Sequence, residues 1–248
     1  MICARIKLST FRVIVDAISE IVDSVVMTFT ASGIVLQAMD VSHVSLCLLD
    51  LKPDGFVEYV CLKNMVSVGV PITTMSKIFK CSTTQDNLCI KIEDGKVDTM
   101  TLEFSNSLRT SEFEIKLMDI DSDFIDVPEM VCDCNLKIPT KEFQKIIGDL
   151  SLMGDSCDIQ IKRTGVVFLS SGDMGDASLH VRSRDDDVCF EGEGVGKFST
   201  KYLQLFAKAA PLCDSLSIQM PEGSPICLEY HMGVLGTLRY YLAPRIDE

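Results

Sequence analysis

FRVIVDAISEIVDSVVMTFTASGIVL, residues 11–36, and FQKIIGDLSLMGDSCDIQIKRTGVVF, residues 143–168, follow one pattern twice. Phe11, Ile14, Val15, Ile18 and Ser19 recur 132 residues later, without a gap, as Phe143, Ile146, Ile147, Leu150 and Ser151. The register continues through Asp23-Ser24 and Asp155-Ser156, Met27 and Phe29 with Ile159 and Ile161, and Gly33-Ile34-Val35-Leu36 with Gly165-Val166-Val167-Phe168. Self-similarity at a fixed offset means that one supersecondary unit is built twice. In the first copy Phe11, Ile14, Val15, Ile18, Val22 and Val25 fall on one stripe of a 3.6-residue period, which predicts an amphipathic helix with Ser9 or Thr10 as its N-cap. Met27 and Phe29 then alternate with Thr28 and Thr30, Ala31-Ser32-Gly33 turns the chain, and Ile34, Leu36 and Ala38 share a face of the next strand.

Each half carries a second, shorter helical pattern. Met75, Ile78 and Phe79 follow Thr73-Thr74, and Tyr202, Leu205, Phe206 and Ala209 follow Ser199-Thr200. The expected class is therefore α+β: two similar domains, each with two short helices packed on antiparallel sheets. LMDIDSDFIDVPEM, residues 117–130, carries five acids, no Lys or Arg, and Pro128, which suits a connector better than a helix or a central strand. The expected boundaries are 1–116, a connecting loop over 117–134, and 135–248. With 248 residues, 47% of them hydrophobic, the chain is large enough for two cores. It has no apolar run long enough to span a membrane, and MICARIKLSTF lacks the core of a signal peptide, so a soluble, intracellular protein is expected.

The formal net charge is −13, which taken whole argues against a nucleic-acid partner. The charges are segregated, however. Windows 73–80, 140–148 and 199–209 hold six lysines and one acid, Glu142, a local balance of +5 that leaves −18 for the rest. At 100° per residue Lys77 and Lys80 project opposite the apolar stripe of their helix, Lys141 and Lys145 do the same, and Lys201 and Lys208 flank theirs. One such face is an ordinary solvated surface; three in so acidic a chain also fit a polyanion-binding surface. The first helix departs from the pattern, because Arg12 shares its outer face with Asp16 and Glu20.

Catalytic chemistry finds little support. LQAMDVSHVSL, residues 36–46, places Asp40, Ser42 and His43 close together, but a Ser-His-Asp site needs side chains that converge from distant segments. Read as one strand, the stretch would point Ser42 and His43 to opposite faces. The only other histidines are His180 and His231, and no H-x-x-x-H or H-E-x-x-H spacing occurs. EGEGVGKF, residues 191–198, only superficially resembles a phosphate loop and reads as a turn, and Asp185-Asp186-Asp187 reads as a solvated loop rather than a Mg²⁺ site. The eleven cysteines are odd in number and irregularly spaced, with no C-x-x-C pair, and read as small reduced core residues. No cofactor and no metal are expected.

LQAMDVSHVSL, KLMDID at 116–121 and YYLAPRIDE at 240–248 closely resemble segments of the proliferating cell nuclear antigen family, the eukaryotic sliding clamps, and MICARI, MSKIFKC at 75–81 and the internal repeat agree. The resemblance covers essentially the whole chain. It implies a DNA-clamp fold whose subunits close head to tail into a homotrimeric ring around duplex DNA, with no catalytic activity and a nuclear location. Its implied role is to make a replicative polymerase processive, loaded by a clamp loader, and to serve as a platform for replication and repair proteins such as flap endonuclease and DNA ligase. The family resemblance also leaves open a subunit of a heterotrimeric checkpoint clamp, and from another class stands a Ser/His/Asp hydrolase.

Carried over residue by residue, the resemblance assigns Arg12, Lys77, Lys80, Lys145, Lys201, Lys208 and Arg109 to DNA. Ser19, Gly148 and Leu152 stand where many relatives have Lys, Arg or His, so the track is thinner here. It assigns a pocket for peptides of the type Q-x-x-aliphatic-x-x-aromatic-aromatic to Met39, His43, Val44 and Leu46, to Ile125, Val127 and Pro128, and to Pro225, Tyr241, Leu242, Ala243 and Pro244. The implied subunit edges are the strand near Arg109–Leu117, with Phe113 and Ile115, and a neighbour's strand near Met174–Arg182, with Ala177 and Leu179. The lysine that accepts ubiquitin and SUMO in relatives aligns with Arg163, with Lys162 adjoining.

Overall fold

The computed structural model describes residues 1–83, 85–96, 98–120, 125, 134–183 and 187–245. The first copy of the repeat runs β1 (Ile2–Lys7), α1 (Leu8–Ser19), β2 (Val25–Thr30), β3 (Gly33–Met39), β4 (Ser45–Leu51), β5 (Glu58–Cys61), β6 (Met65–Val70), α2 (Ile72–Phe79), β7 (Asn87–Ile92), β8 (Thr99–Ser105) and β9 (Thr110–Lys116). The second runs β10 (Asn135–Pro139), α3 (Thr140–Leu150), β11 (Ser156–Lys162), β12 (Gly165–Gly172), β13 (Gly175–Val181), β14 (Cys189–Glu191), β15 (Gly194–Ser199), α4 (Thr200–Ala207), β16 (Ser215–Gln219), β17 (Ile226–His231) and β18 (Gly236–Leu242). Hydrogen-bonded neighbours follow the orders β5-β1-β7-β8-β9 and β4-β3-β2-β6 in the first copy, and β14-β10-β16-β17-β18 and β13-β12-β11-β15 in the second. Adding nine to each strand number turns one pair of orders into the other, so the sequence repeat is a repeat of topology. The ladders are antiparallel, as the hairpins β2-β3 and β11-β12 illustrate. The α+β class is thus as expected. The chain divides into two compact units, Met1–Val41 with Cys47–Ile125 and Met232–Leu238, and Ser42–Leu46 with Asp126–His231 and Arg239–Glu248.

Each unit has its own aromatic core. In the first, the Phe11 and Phe79 rings lie 6.1 Å apart, Phe79 meets Phe104 edge-on at 5.9 Å, and Phe104 meets Phe113 at 5.7 Å, which links α1 through α2 to β8 and β9. In the second, Phe206 stacks on Tyr240 at 4.4 Å, while the Tyr230 hydroxyl donates to the Phe206 carbonyl at 2.9 Å. Fully burying one such ring contributes about 1.5–3 kcal/mol. The repeated serines act locally: the Ser19 and Ser151 hydroxyls donate to the carbonyls of Asp16 and Gly148 at the ends of their helices. Gly33 and Gly165 open the second strand of each hairpin at φ +129° and +152°, and a Cβ at Gly33 would fall 1.9 Å from the Leu51 carbonyl oxygen.

Several local expectations change. Helix α1 ends at Ser19, so Val22 lies in a turn and Val25 opens β2; the apolar period runs on past the helix because the following segment is also core-facing. Neither Ser9 nor Thr10 is the N-cap, which is Lys7 without a side-chain bond. Backbone replaces the cap. The first-turn amides of all four helices donate to aspartate main-chain carbonyls in neighbouring segments: Leu8 to Asp86, Thr73 to Asp23, Thr140 to Asp214 and Thr200 to Asp155, at 3.0–3.3 Å. In α4 the buried residues are Thr200, Leu203, Phe206 and Ala207, with Tyr202 and Leu205 only half-buried, so the stripe sits one position round from the expected one. The glycine run at 191–198 is turn only at Gly192-Glu193 and strand β15 beyond. Of the ten described cysteines, all reduced, Cys47, Cys89, Cys134, Cys157 and Cys227 are core residues, but Cys81 and Cys189 are exposed. Cys132, Asp185 and Asp186 lie outside the described residues, as does most of the expected connector.

Asp86 does more than hold α1. Its buried carboxylate accepts from the Thr83 amide at 2.9 Å, the Thr83 hydroxyl at 2.9 Å and the Asn106 amide at 2.7 Å. The Thr83 amide, with Asn106 and the Thr83 hydroxyl, holds this carboxyl below the ordinary range against the opposing pull of burial. Asp86→Ala should cost about 1–3 kcal/mol at neutral pH, because it leaves those donors without an acceptor. A depressed carboxyl contributes stability above its unfolded value, about pH 4, and loses it as pH falls through the lower folded value. Urea unfolding at pH 7 and pH 3 should therefore show a difference between wild type and variant that shrinks in acid; a constant difference would refute the assignment.

Candidate nucleic-acid and peptide interfaces

The helix faces opposite the core carry the predicted cations. Lys77 on α2, Lys80 just past its C-terminal end, Lys145 on α3, and Lys201 and Lys208 at the two ends of α4 are all exposed. Lys77, Lys80, Lys145 and Lys201 form no ion pair with the described residues. Arg12 differs: its guanidinium lies 3.6 Å from Asp16, one turn along α1, and Asp16 also accepts from the Ser76 hydroxyl of α2 at 2.6 Å. That carboxylate, which couples α1 to α2, also neutralises the one basic residue on the α1 face. In the second unit the coupling uses neutral side chains instead, Gln144 to the Ala207 carbonyl at 3.2 Å and Gln204 to the Ser151 hydroxyl, so neither contact pairs with Lys145 or Lys201. Arg109 reaches the Cys81 carbonyl at 3.4 Å, beside Lys80, from a turn built by Asn106, whose side-chain oxygen accepts from the Leu108 and Arg109 amides. Gly148 is open, with nothing within 4 Å of a Cβ, and Leu152 is exposed.

LQAMDVSHVSL is not one strand. It is the end of β3, a turn over residues 40–44, and the start of β4, with His43 in the left-handed region at φ 57°. Asp40 is buried while Ser42 and His43 are exposed on the turn. The turn places His43 and Val44 at the surface, with Leu46 and Leu242 buried and Pro225 exposed. The Val44 carbonyl accepts from the Ala243 amide at 2.9 Å, which joins two separately predicted segments. Tyr241 is half-buried, and burial pushes its hydroxyl up to about 12, so it stays a neutral donor at physiological pH. The segment after β18 is held by Arg245, whose amide donates to the Lys197 carbonyl at 2.7 Å and whose guanidinium grips Asp155 through two bonds at 3.0 and 3.3 Å.

On the other unit, Met39 is half-buried, and Ile125 is fixed by Gln37, whose side chain both donates to the Ile125 carbonyl at 2.7 Å and accepts from its amide at 2.6 Å. Nothing in the sequence marked Gln37; it reads as one outward position of an alternating strand. Val127 and Pro128 lie outside the described residues. Strands β9 and β13 each end a strand order, so among the described residues each has one unpaired edge. Phe113, Ala177 and Leu179 are half-buried there, whereas Ile115 is buried in the core and offers that edge only its backbone. Arg163 faces Glu193 at 3.4 Å, and Lys162 is exposed.

Residues 1–125 match the family model of the proliferating cell nuclear antigen N-terminal domain, and residues 126–245 match that of its C-terminal domain. The chain belongs to the proliferating cell nuclear antigen family. Its members are DNA sliding clamps of replication and repair that oligomerise around DNA without being enzymes. Among the described residues no group of three His, Cys, Asp or Glu side chains is placed to hold a metal, and no helix is long and apolar enough to cross a membrane.

Gln37→Ala should release Ile125 from both bonds, at a cost of about 1–3 kcal/mol for the pair. Hydrogen exchange at the Ile125 amide should accelerate while β2 amides keep their protection, and unchanged exchange would show that Gln37 does not hold this position.

Proposed function

We propose that this protein is a homotrimeric sliding clamp of the nucleus that encircles duplex DNA and makes a replicative polymerase processive. The observation that carries the reading is the set of exposed lysines, Lys77, Lys80, Lys145 and Lys201, unpaired among the described residues in a chain of net charge −13. Such cations attract phosphate without reading sequence, while an acidic remainder limits clinging to other nucleic acid. Enclosure then replaces tight contact, so the ring slides. Lys208 and Arg109 extend this track, and Arg12 contributes least because of Asp16.

Ring closure uses the free edges of β9 and β13, head to tail between identical chains. Leu108 and Met174, 93% and 82% exposed in the turns that lead into these two strands, supply the apolar surface expected beside such a contact. The domains are residues 1–116 and 135–248, joined by a connecting loop over 117–134. Met39, His43, Val44, Leu46, Ile125, Val127, Pro128, Pro225 and Tyr241–Pro244 take peptides with paired aromatic anchors from polymerase, clamp loader, flap endonuclease and ligase, the anchors entering apolar pockets and the loop pairing with the peptide backbone.

Light scattering should give a mass near three times 27.4 kDa. A stable monomer at micromolar concentration would sink the homotrimer, and a ring that forms only with two other subunits would favour the checkpoint type. Lys77→Glu, Lys80→Glu and Lys145→Glu together should reduce clamp-dependent synthesis on circular primed template by roughly tenfold, about 1.4 kcal/mol, with the trimer intact. Undiminished synthesis would remove these lysines from the track.

A further inference from the structure

Cys3 on β1 and Cys89 on β7 bring their sulfurs to 3.3 Å across the sheet. The register sets Cys3 opposite Lys91 and Cys89 opposite Arg5, so the two thiols are diagonal neighbours on one face of an antiparallel pair. Cys3 is half-buried and open to a small reagent, while Cys89 is 2% exposed. Burial, then the neighbouring Cys3, push the Cys89 thiol up to about 11, with Arg5 and Lys91 pulling the other way. Cys47 and Cys157 differ in that burial alone, or burial first, pushes their thiols up.

We propose that Cys3 and Cys89 form an oxidative modification site, a dithiol that a hydroperoxide converts into a disulfide between β1 and β7. The accessible Cys3 sulfur attacks the peroxide O–O bond and takes one hydroxyl, and the other oxygen leaves as alcohol, or as water when the oxidant is hydrogen peroxide. Cys3 is then a sulfenic acid. The Cys89 sulfur displaces that hydroxyl, which departs as water with the Cys89 proton. Two thiols and one hydroperoxide thus give one disulfide, one alcohol and one water, with the peroxide reduced and both sulfurs oxidised. The sulfurs close from 3.3 Å to about 2.05 Å, which for diagonal neighbours requires a shift of the two strands as well as side-chain rotation. Division of labour follows from exposure: Cys3 meets the oxidant, and the shielded Cys89 resolves it as it gives up its proton.

The test treats the folded full chain with hydrogen peroxide, blocks remaining thiols and maps peptides by mass spectrometry. The expected product is a Cys3–Cys89 linked peptide, two hydrogens lighter than the sum of its parts, formed before further oxidation of the exposed Cys81 and Cys189 and reversed by a dithiol reductant. Cys89→Ser should instead accumulate a sulfenic acid at Cys3 that dimedone traps, and Cys3→Ser should leave Cys89 reduced. The proposal is overturned if Cys81 or Cys189 is oxidised while the pair stays reduced, or if the linked peptide forms as fast in urea as in the folded chain. The wild-type map alone decides these outcomes, whether or not the serine variants fold.

Discussion

Each of the four helices is too short to persist alone, since isolated helices below about 12–15 residues are marginal in water. They exist because one stripe of each is buried: Phe11, Ile14, Val15 and Ile18 on α1, Ile72, Met75 and Phe79 on α2, Phe143, Ile146, Ile147 and Leu150 on α3, and Leu203 and Phe206 on α4. That constraint fixes everything on the opposite face. Once Phe79 is locked between Phe11 and Phe104, Lys77 and Lys80 have only solvent to enter. The basic surface is therefore a consequence of core packing, and it needs no dedicated scaffold.

The helix entrances obey the same economy. Four first-turn amides find aspartate carbonyls on neighbouring segments, so the helices start without side-chain caps. Asp23 and Asp155 occupy matched positions of the repeat, and their carbonyls hold α2 and α4. Asp155 adds a second duty, because its carboxylate also holds Arg245 beside the entrance of α4. One residue thus couples helix placement to the C-terminal segment that carries Tyr241–Pro244.

Much of this was legible. A fixed offset of 132 residues exposed the duplication, because core positions of a duplicated fold keep their volume and polarity while the surface drifts. Alternation found β2 and β3, and helical spacing found α1 and α3. What escaped was nonlocal. The end of α1 was hidden because Val22 and Val25 continue the apolar period after the helix stops, and the α4 stripe was misplaced because Tyr202 and Leu205 are apolar yet only half-buried. The turn at residues 40–44 was masked by apolar neighbours on both sides; the sharp signal, His43 at positive φ, is a backbone property with no sequence mark. Gln37 and Asp16 act through partners 88 and 60 residues away, which no local pattern reveals.

Charge placement makes the two units unequal despite their shared topology. In the first, the contact between helices uses a carboxylate, Asp16, and that choice neutralises Arg12. In the second, Gln144 and Gln204 make the same kind of contact with no charge. A neutral coupling leaves the field of nearby lysines intact, whereas a carboxylate a few ångströms away screens it at an effective dielectric typical of a protein surface. On the proposed polyanion-binding surface Arg12 is therefore the weakest of the cations. Duplication thus gave this chain one architecture twice, with a carboxylate at the α1–α2 contact and neutral amides at the α3–α4 contact.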